Sequence, residues 1–126
     1  AILQKVSDLM HTGDEMPILD EHAALRQIIL TMSSKMLGCV GIINENGDLS
    51  GMITDGDLRR HMGPSLMDKK AKQVMHPDPI VVSEDTLAVT ALRIMQENKI
   101  TSLFVTGEGK PVGILNVHDC LRAGVE

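Results

Sequence analysis

The chain has 126 residues, a formal net charge of −5 and a single aromatic side chain, Phe104. At 43% hydrophobic and 23% charged it has a globular balance, and a chain this long buries about two-thirds of its unfolded surface without a disulfide or metal staple. An acidic chain without aromatic platforms is not built to hold nucleic acid, no apolar run nears the ~20 residues of a membrane span, and the first residues lack the regions of a secretion signal. Cys39 and Cys120 have no CxxC spacing and read as reduced, buried thiols of a cytoplasmic protein. The chain begins without Met and is expected to be part of a longer protein.

In chain order, Pro17-Ile18-Leu19 reads as a short extended piece, since proline disfavours helix before it. Asp20-Glu21 predicts a helix start, acids suiting its positive end. Leu25, Ile28, Ile29, Met32 and Met36 follow at helical spacing as a buried stripe, and Gly38 stops the helix. Residues 39–43 and 49–53 are expected to be strands joined by a turn at Asn46-Gly47, with a short helix from Asp55. Ile80-Val81-Val82 is extended, and Ser83 reads as an N-cap. Leu87, Ala91, Leu92 and Met95 form a second stripe. Residues 102–105 and 112–115 form a hairpin around Gly107-Glu108-Gly109, and a last short helix starts at Val117.

The second series repeats the first. A shift of 62 residues aligns Pro17 with Pro79, Leu25 with Leu87, Leu30 with Leu92, Gly47 with Gly109, Gly51 with Gly113, Asp57 with Asp119 and Arg60 with Arg122. Upstream, Met10-His11 matches Met75-His76. Turn glycines, a proline and a carboxylate are residues that backbone geometry restricts. The reading is two copies, residues 3–62 and 71–124, joined near Gly63-Pro64-Ser65 and Lys69-Lys70. One strand–helix–hairpin–helix unit cannot cover both faces of its sheet. The fold class expected is therefore α+β, two βαββα units packed about a pseudo-two-fold axis.

The segment richest in chemistry is Gly51-Met52-Ile53-Thr54-Asp55-Gly56-Asp57. Thr54-x-x-Asp57 has the shape of a capping box, with Asp for the usual Glu. The same geometry suits a nucleotide: free N–H groups at a helix start meet a phosphate, while a hydroxyl and a carboxylate bond a ribose diol. The second copy, Gly113-Ile114-Leu115-Asn116-Val117-His118-Asp119, keeps the Gly and Asp and has Asn in place of Thr.

This duplicated unit, with Gly-x-Ile-Thr-x-x-Asp at its last strand–helix junction, resembles a cystathionine-β-synthase (CBS) domain pair, or Bateman module, over essentially the whole chain. The resemblance implies a ligand-binding regulatory module that holds adenosine-type nucleotides in clefts between the units. It assigns ribose and phosphate contacts to Thr54 and Asp57, and to Asp119 with Asn116 as the weaker partner. It assigns the base to Ile18, Val40, Ile80, Thr101 and Ser102.

A narrower resemblance rests on residues 8–17, 54–60, 99–102 and 118–124. These segments look like the C-terminal part of bacterial D-arabinose 5-phosphate isomerases, which join a sugar-isomerase domain to a CBS pair and supply the lipopolysaccharide sugar Kdo. It implies that the fragment itself is not an enzyme and that the catalytic domain lies N-terminal in the parent. Implied partners are a nucleotide of the AMP or ATP type, or CMP-Kdo as end product, and a second copy in a homodimer. Nucleic acid and membrane are not among them.

Other constellations do not assemble. Gly107-Glu108-Gly109-Lys110 is followed by Pro111 rather than a hydroxyl residue, so it is no phosphate loop. Asp55-Gly56-Asp57 lacks the downstream acids of a calcium loop. The five histidines show no ligand spacing and read as surface or capping residues. Arg59-Arg60 suits either a phosphate or a solvated helix face. A rival reading to the ligand sensor is an oligomerisation module whose clefts are vestigial.

Overall fold

A computed structural model describes residues 3–126. It divides into two compact units. One is Pro17–Pro79; the other joins the chain up to Met16 with Ile80–Glu126.

In the unit Pro17–Pro79, β1 (Ile18–Asp20) runs parallel to β2 (Cys39–Ile43), with Ile18 opposite Gly41. A parallel pair needs a crossover, and α2 (Leu25–Lys35) supplies it. β3 (Leu49–Thr54) returns antiparallel to β2 and leads directly into α3 (Asp55–Arg60). After α4 (Ala71–Val74), the two-residue β4 (His76–Pro77) closes a sheet of order β1-β2-β3-β4. Leu25, Ile28 and Met32 of α2 face a core of Ala23, Val40, Ile42, Ile53, Leu66, Ala71 and Val74.

Three local expectations are corrected here. Asp20 ends β1 instead of opening a helix, and its carboxylate accepts the His22 N–H at 2.7 Å. The helix starts only at Leu25, where the Gln27 side chain accepts the Ala24 N–H. Met36, not Gly38, ends the helix: it adopts the left-handed conformation (φ 59°), which takes it off the buried stripe and leaves it exposed. Ile29 lies at the edge of that stripe and is also exposed. The Asn46-Gly47 turn forms as expected, with Gly47 at φ 83° and the Asn44 side chain accepting the N–H groups of Asn46 and Asp48.

In the other unit, β5 (Val81–Val82) is parallel to β6 (Ser102–Gly107), with α5 (Ala88–Asn98) as crossover. β6 pairs antiparallel with β7 (Lys110–Asn116) across a two-residue turn, Glu108-Gly109, both at positive φ. α6 (Val117–Arg122) follows without a break. Ser83 does not cap a helix. Its N–H bonds the Thr86 hydroxyl in a turn, and α5 begins at Ala88, whose N–H is taken by the Gln4 carbonyl. Leu87, expected in the stripe, is the residue before α5 and is half-buried; Ala91, Leu92 and Met95 are buried. Helix α1 (Val6–Leu9) from the chain start packs into this unit, with Val6 in its core.

The lead segments are thus exchanged. The segment before the first hairpin packs on the second hairpin, and the segment before the second packs on the first. His11 pairs with Ile114 through two backbone hydrogen bonds, and His76 pairs with Met52. The packed units do not coincide with the repeats read from the sequence as residues 3–62 and 71–124: each takes its lead segment from the other repeat. The exchange also explains Gly51 and Gly113, which are not turn glycines. A Cβ on Gly51 would lie 2.8 Å from Met75 Cγ and 3.0 Å from the His76 carbonyl oxygen. A Cβ on Gly113 would lie 2.9 Å from Met10 Cγ and 3.1 Å from the His11 carbonyl oxygen. Each glycine gives a crossing Met-His segment room to approach.

Candidate functional site

Thr54 ends β3 with extended backbone, and α3 starts at the next residue. Its hydroxyl accepts the Asp57 N–H at 3.4 Å, and the Asp57 carboxylate accepts the Thr54 N–H at 2.9 Å. The capping box is formed in full. The Asp57 carboxylate does more than cap. Its Oδ2 also accepts from the Thr54 hydroxyl at 3.0 Å and from His76 Nδ1 at 2.7 Å. Its Oδ1 accepts from Arg60 Nη2, one turn along α3. Asp57 is only 2% exposed.

The second unit reproduces this hub. Asp119 Oδ2 accepts the Asn116 N–H at 2.8 Å, while Oδ1 accepts from His11 Nε2 at 2.9 Å and Arg122 Nη2 at 2.6 Å. The Asn116 side chain accepts the His118 N–H and donates to the Ser102 hydroxyl at 3.0 Å, which settles both ends of a buried amide. His11 Nδ1 also lies 3.4 Å from Glu15 Oε2. Carboxylates only accept, so an imidazole that bonds both Asp119 and Glu15 must carry both protons.

The charges respond accordingly. Burial pushes the Asp57 carboxyl up. Hydrogen bonds from the Thr54 N–H, His76 and the Thr54 hydroxyl, with the His76 charge, outweigh burial and hold it below the usual carboxylate value. Burial pulls His11 down, but the bond to Asp119, the Asp119 charge and Glu15 together hold it above the ordinary imidazole value. Burial and the neighbouring Asp119 push the Cys120 thiol up, which keeps it protonated and unreactive.

Thr54 and Asp57 come together in one unit, and Ser102, Asn116 and Asp119 in the other. The Thr101 carbonyl accepts the Val117 N–H at the start of α6, and its residue is exposed. Ile18 is half-buried at the head of β1, and Ile80 is exposed just before β5. Val40 has no exposed surface and packs in its unit's core, so it offers no face to a ligand.

His11 and His76, read from the sequence as surface or capping residues, instead hold the two carboxylates. Arg60 and Arg122 complete the clusters. The signal was present in the repeat, since Met-His and Arg recur in both copies. What the sequence did not carry is that each histidine serves the aspartate of the other repeat. Among the described residues no group of three His, Cys, Asp or Glu side chains is arranged to hold a metal ion, and no helix is long and apolar enough to cross a membrane.

Comparison with known proteins gives a consistent result. The CBS domain matches twice, at residues 6–63 and 71–126. The arabinose 5-phosphate isomerase KdsD of Salmonella typhi is 44% identical over 126 residues, 98% of this chain and 38% of that protein. Its Escherichia coli K12 counterpart is 43% identical over the same shares. The chain thus spans less than two-fifths of these relatives and corresponds to their CBS pair rather than their isomerase domain. Among solved structures, the protein CBSX2 in complex with AMP superposes with a TM-score of 0.81 at 23% identity, covering 96% of each chain. The cytosolic domain of the channel MgtE in complex with ATP gives 0.79 at 22% identity, covering 95% of this chain and 48% of that one. With both repeats matched over nearly their full length, the chain belongs to the CBS domain family and is a CBS domain pair.

Proposed function

We propose that the chain is a regulatory module that binds an adenine nucleotide and, in a longer protein, adjusts an isomerase of the arabinose 5-phosphate type in the cytoplasmic Kdo and lipopolysaccharide pathway. The observation that carries this reading is the Asp57 site: a buried, ionised carboxylate beside a hydroxyl, at the strand–helix junction of a CBS repeat. Such a carboxylate is the acceptor that a ribose diol requires. The superposable structures of CBSX2 and of the MgtE cytosolic domain hold AMP and ATP, and the isomerase relatives match 98% of the chain. Repeats 3–62 and 71–124 would each contribute one site, the second built on Asp119 and Asn116. By the family resemblance, Ile18, Ile80, Thr101 and Ser102 would line the base. The module works as a homodimer. Its nucleotide favours one arrangement of the protein over another, and the difference in affinity is the regulatory signal.

A second reading is favoured by one observation. Both aspartates are already bonded to a capping N–H, a histidine and an arginine. On this reading the pair is an oligomerisation module whose ligand sites are vestigial. A thermal-shift panel of AMP, ATP, CMP and CMP-Kdo separates the two, because a ligand that binds only the native state raises apparent stability. A concentration-dependent rise with AMP or ATP supports the sensor. A rise with CMP-Kdo alone moves the ligand to the pathway's end product. No rise with any of the four leaves the structural module.

A further inference from the structure

The two oxygens of Asp57 are not equally available. A carboxylate oxygen offers two lone-pair sites in its plane. Oδ2 takes three donors: the Thr54 N–H, the Thr54 hydroxyl and His76 Nδ1. Among the described residues Oδ1 takes only Arg60. Of these donors, the Thr54 N–H and hydroxyl are fixed by the start of α3, and His76 is fixed by its strand pairing with Met52. Arg60 alone reaches the carboxylate from a long side chain that is 66% exposed. Its guanidinium lies back over the first turn of α3: Nη1 is 3.5 Å from where a Cβ on Gly56 would stand, beside Thr54 Oγ1 at 3.6 Å.

Resting on the proposed nucleotide reading, we infer that Arg60 is a placeholder at the ribose site. It occupies Asp57 Oδ1 in the empty protein, yields that oxygen to a ribose hydroxyl on binding, and turns to the nucleotide's phosphate. The exchange conserves charge pairing, since the guanidinium trades a carboxylate for a phosphate. It also leaves the carboxylate fully bonded at every stage, so no buried acceptor is stranded. A nucleoside without phosphate must displace Arg60 with no return. A nucleotide recovers the lost ion pair. The site therefore selects for a phosphate it need not contact in the empty state.

Calorimetric titration of the wild-type chain and of Arg60→Met and Arg60→Lys with adenosine and with AMP tests the exchange, with a thermal melt of each variant to confirm folding. Removing the competitor should tighten adenosine by about fivefold in Arg60→Met and leave AMP nearly unchanged, because AMP loses its phosphate contact as it is freed of the competitor. Arg60→Lys, which keeps the charge without the fork, should fall between. Parallel changes in both ligands, or none, overturn the exchange while leaving the nucleotide site intact. Failure of the wild-type chain to bind either ligand would instead overturn the nucleotide reading on which the exchange rests.

Discussion

Gly51 and Gly113 carry a sharp prediction, because their need is close approach rather than backbone conformation. Neither adopts positive φ. Gly51→Ala places a methyl against Met75 and the His76 carbonyl, and Gly113→Ala does the same against Met10 and His11. Each should cost about 1–3 kcal/mol, the usual range for overpacking, read as a lower midpoint in urea. Gly38, with open space where its Cβ would go but φ 75°, should instead register only the cost of its conformation on substitution. His11 makes a pH prediction. Its folded value lies above 6.5, so its link to Asp119 and Glu15 contributes fully below pH 6.5 and is lost as pH rises through the folded value. Melting temperature should therefore fall from pH 6 to pH 8 in the wild type and change less in His11→Gln. Asp57 has the opposite sign. Its contribution is present above pH 3.8 and is lost as pH falls through its depressed folded value. A His11→Gln profile parallel to wild type would remove the His11 link to Asp119 and Glu15 from the account.

At the scale of elements, legibility followed the distance over which a bond acts. The start of α3 was readable because both halves of its capping box, Thr54 and Asp57, lie three residues apart in the chain. The hairpin turns were readable because Gly47 and Gly109 need positive φ. Asp20 and Ser83 misled because the same side chains that cap helices also bond backbone in turns, and here each holds a turn that delays the helix by several residues. Helices α1 and α4 and the strand β4 were not foreseen. They are two to four residues long and are held by partners far along the chain, such as the Thr86 carbonyl for the Val6 N–H and the Ala23 carbonyl for the Ala71 N–H. The histidines ride on these lead segments, which is why their role was hidden too. His76→Ala should thus loosen β4 as well as the site, and hydrogen exchange at Met52 and His76 should speed up together. Protection at both amides unchanged from wild type would show that the side chain does not secure the strand.

For the whole molecule, duplication makes one chain carry two versions of the same hub. The first has Thr54, whose hydroxyl bonds Asp57; the second has Asn116, whose amide is committed to Ser102 and His118. Among the described residues Asp119 Oδ1 already takes both His11 and Arg122, while Asp57 Oδ1 takes Arg60 alone, so the Thr54 site should be the tighter of the two. The central claim is that Asp57 accepts a ribose hydroxyl in addition to capping α3. Calorimetric titration of Asp57→Asn with AMP tests it most directly. Asn keeps the size but replaces an acceptor oxygen with a donor, so a charge-assisted bond of about 1.5–3 kcal/mol is lost, roughly a ten- to hundredfold drop in affinity. Wild-type affinity in a folded Asp57→Asn chain would contradict the claim and leave Asp57 as a capping residue alone.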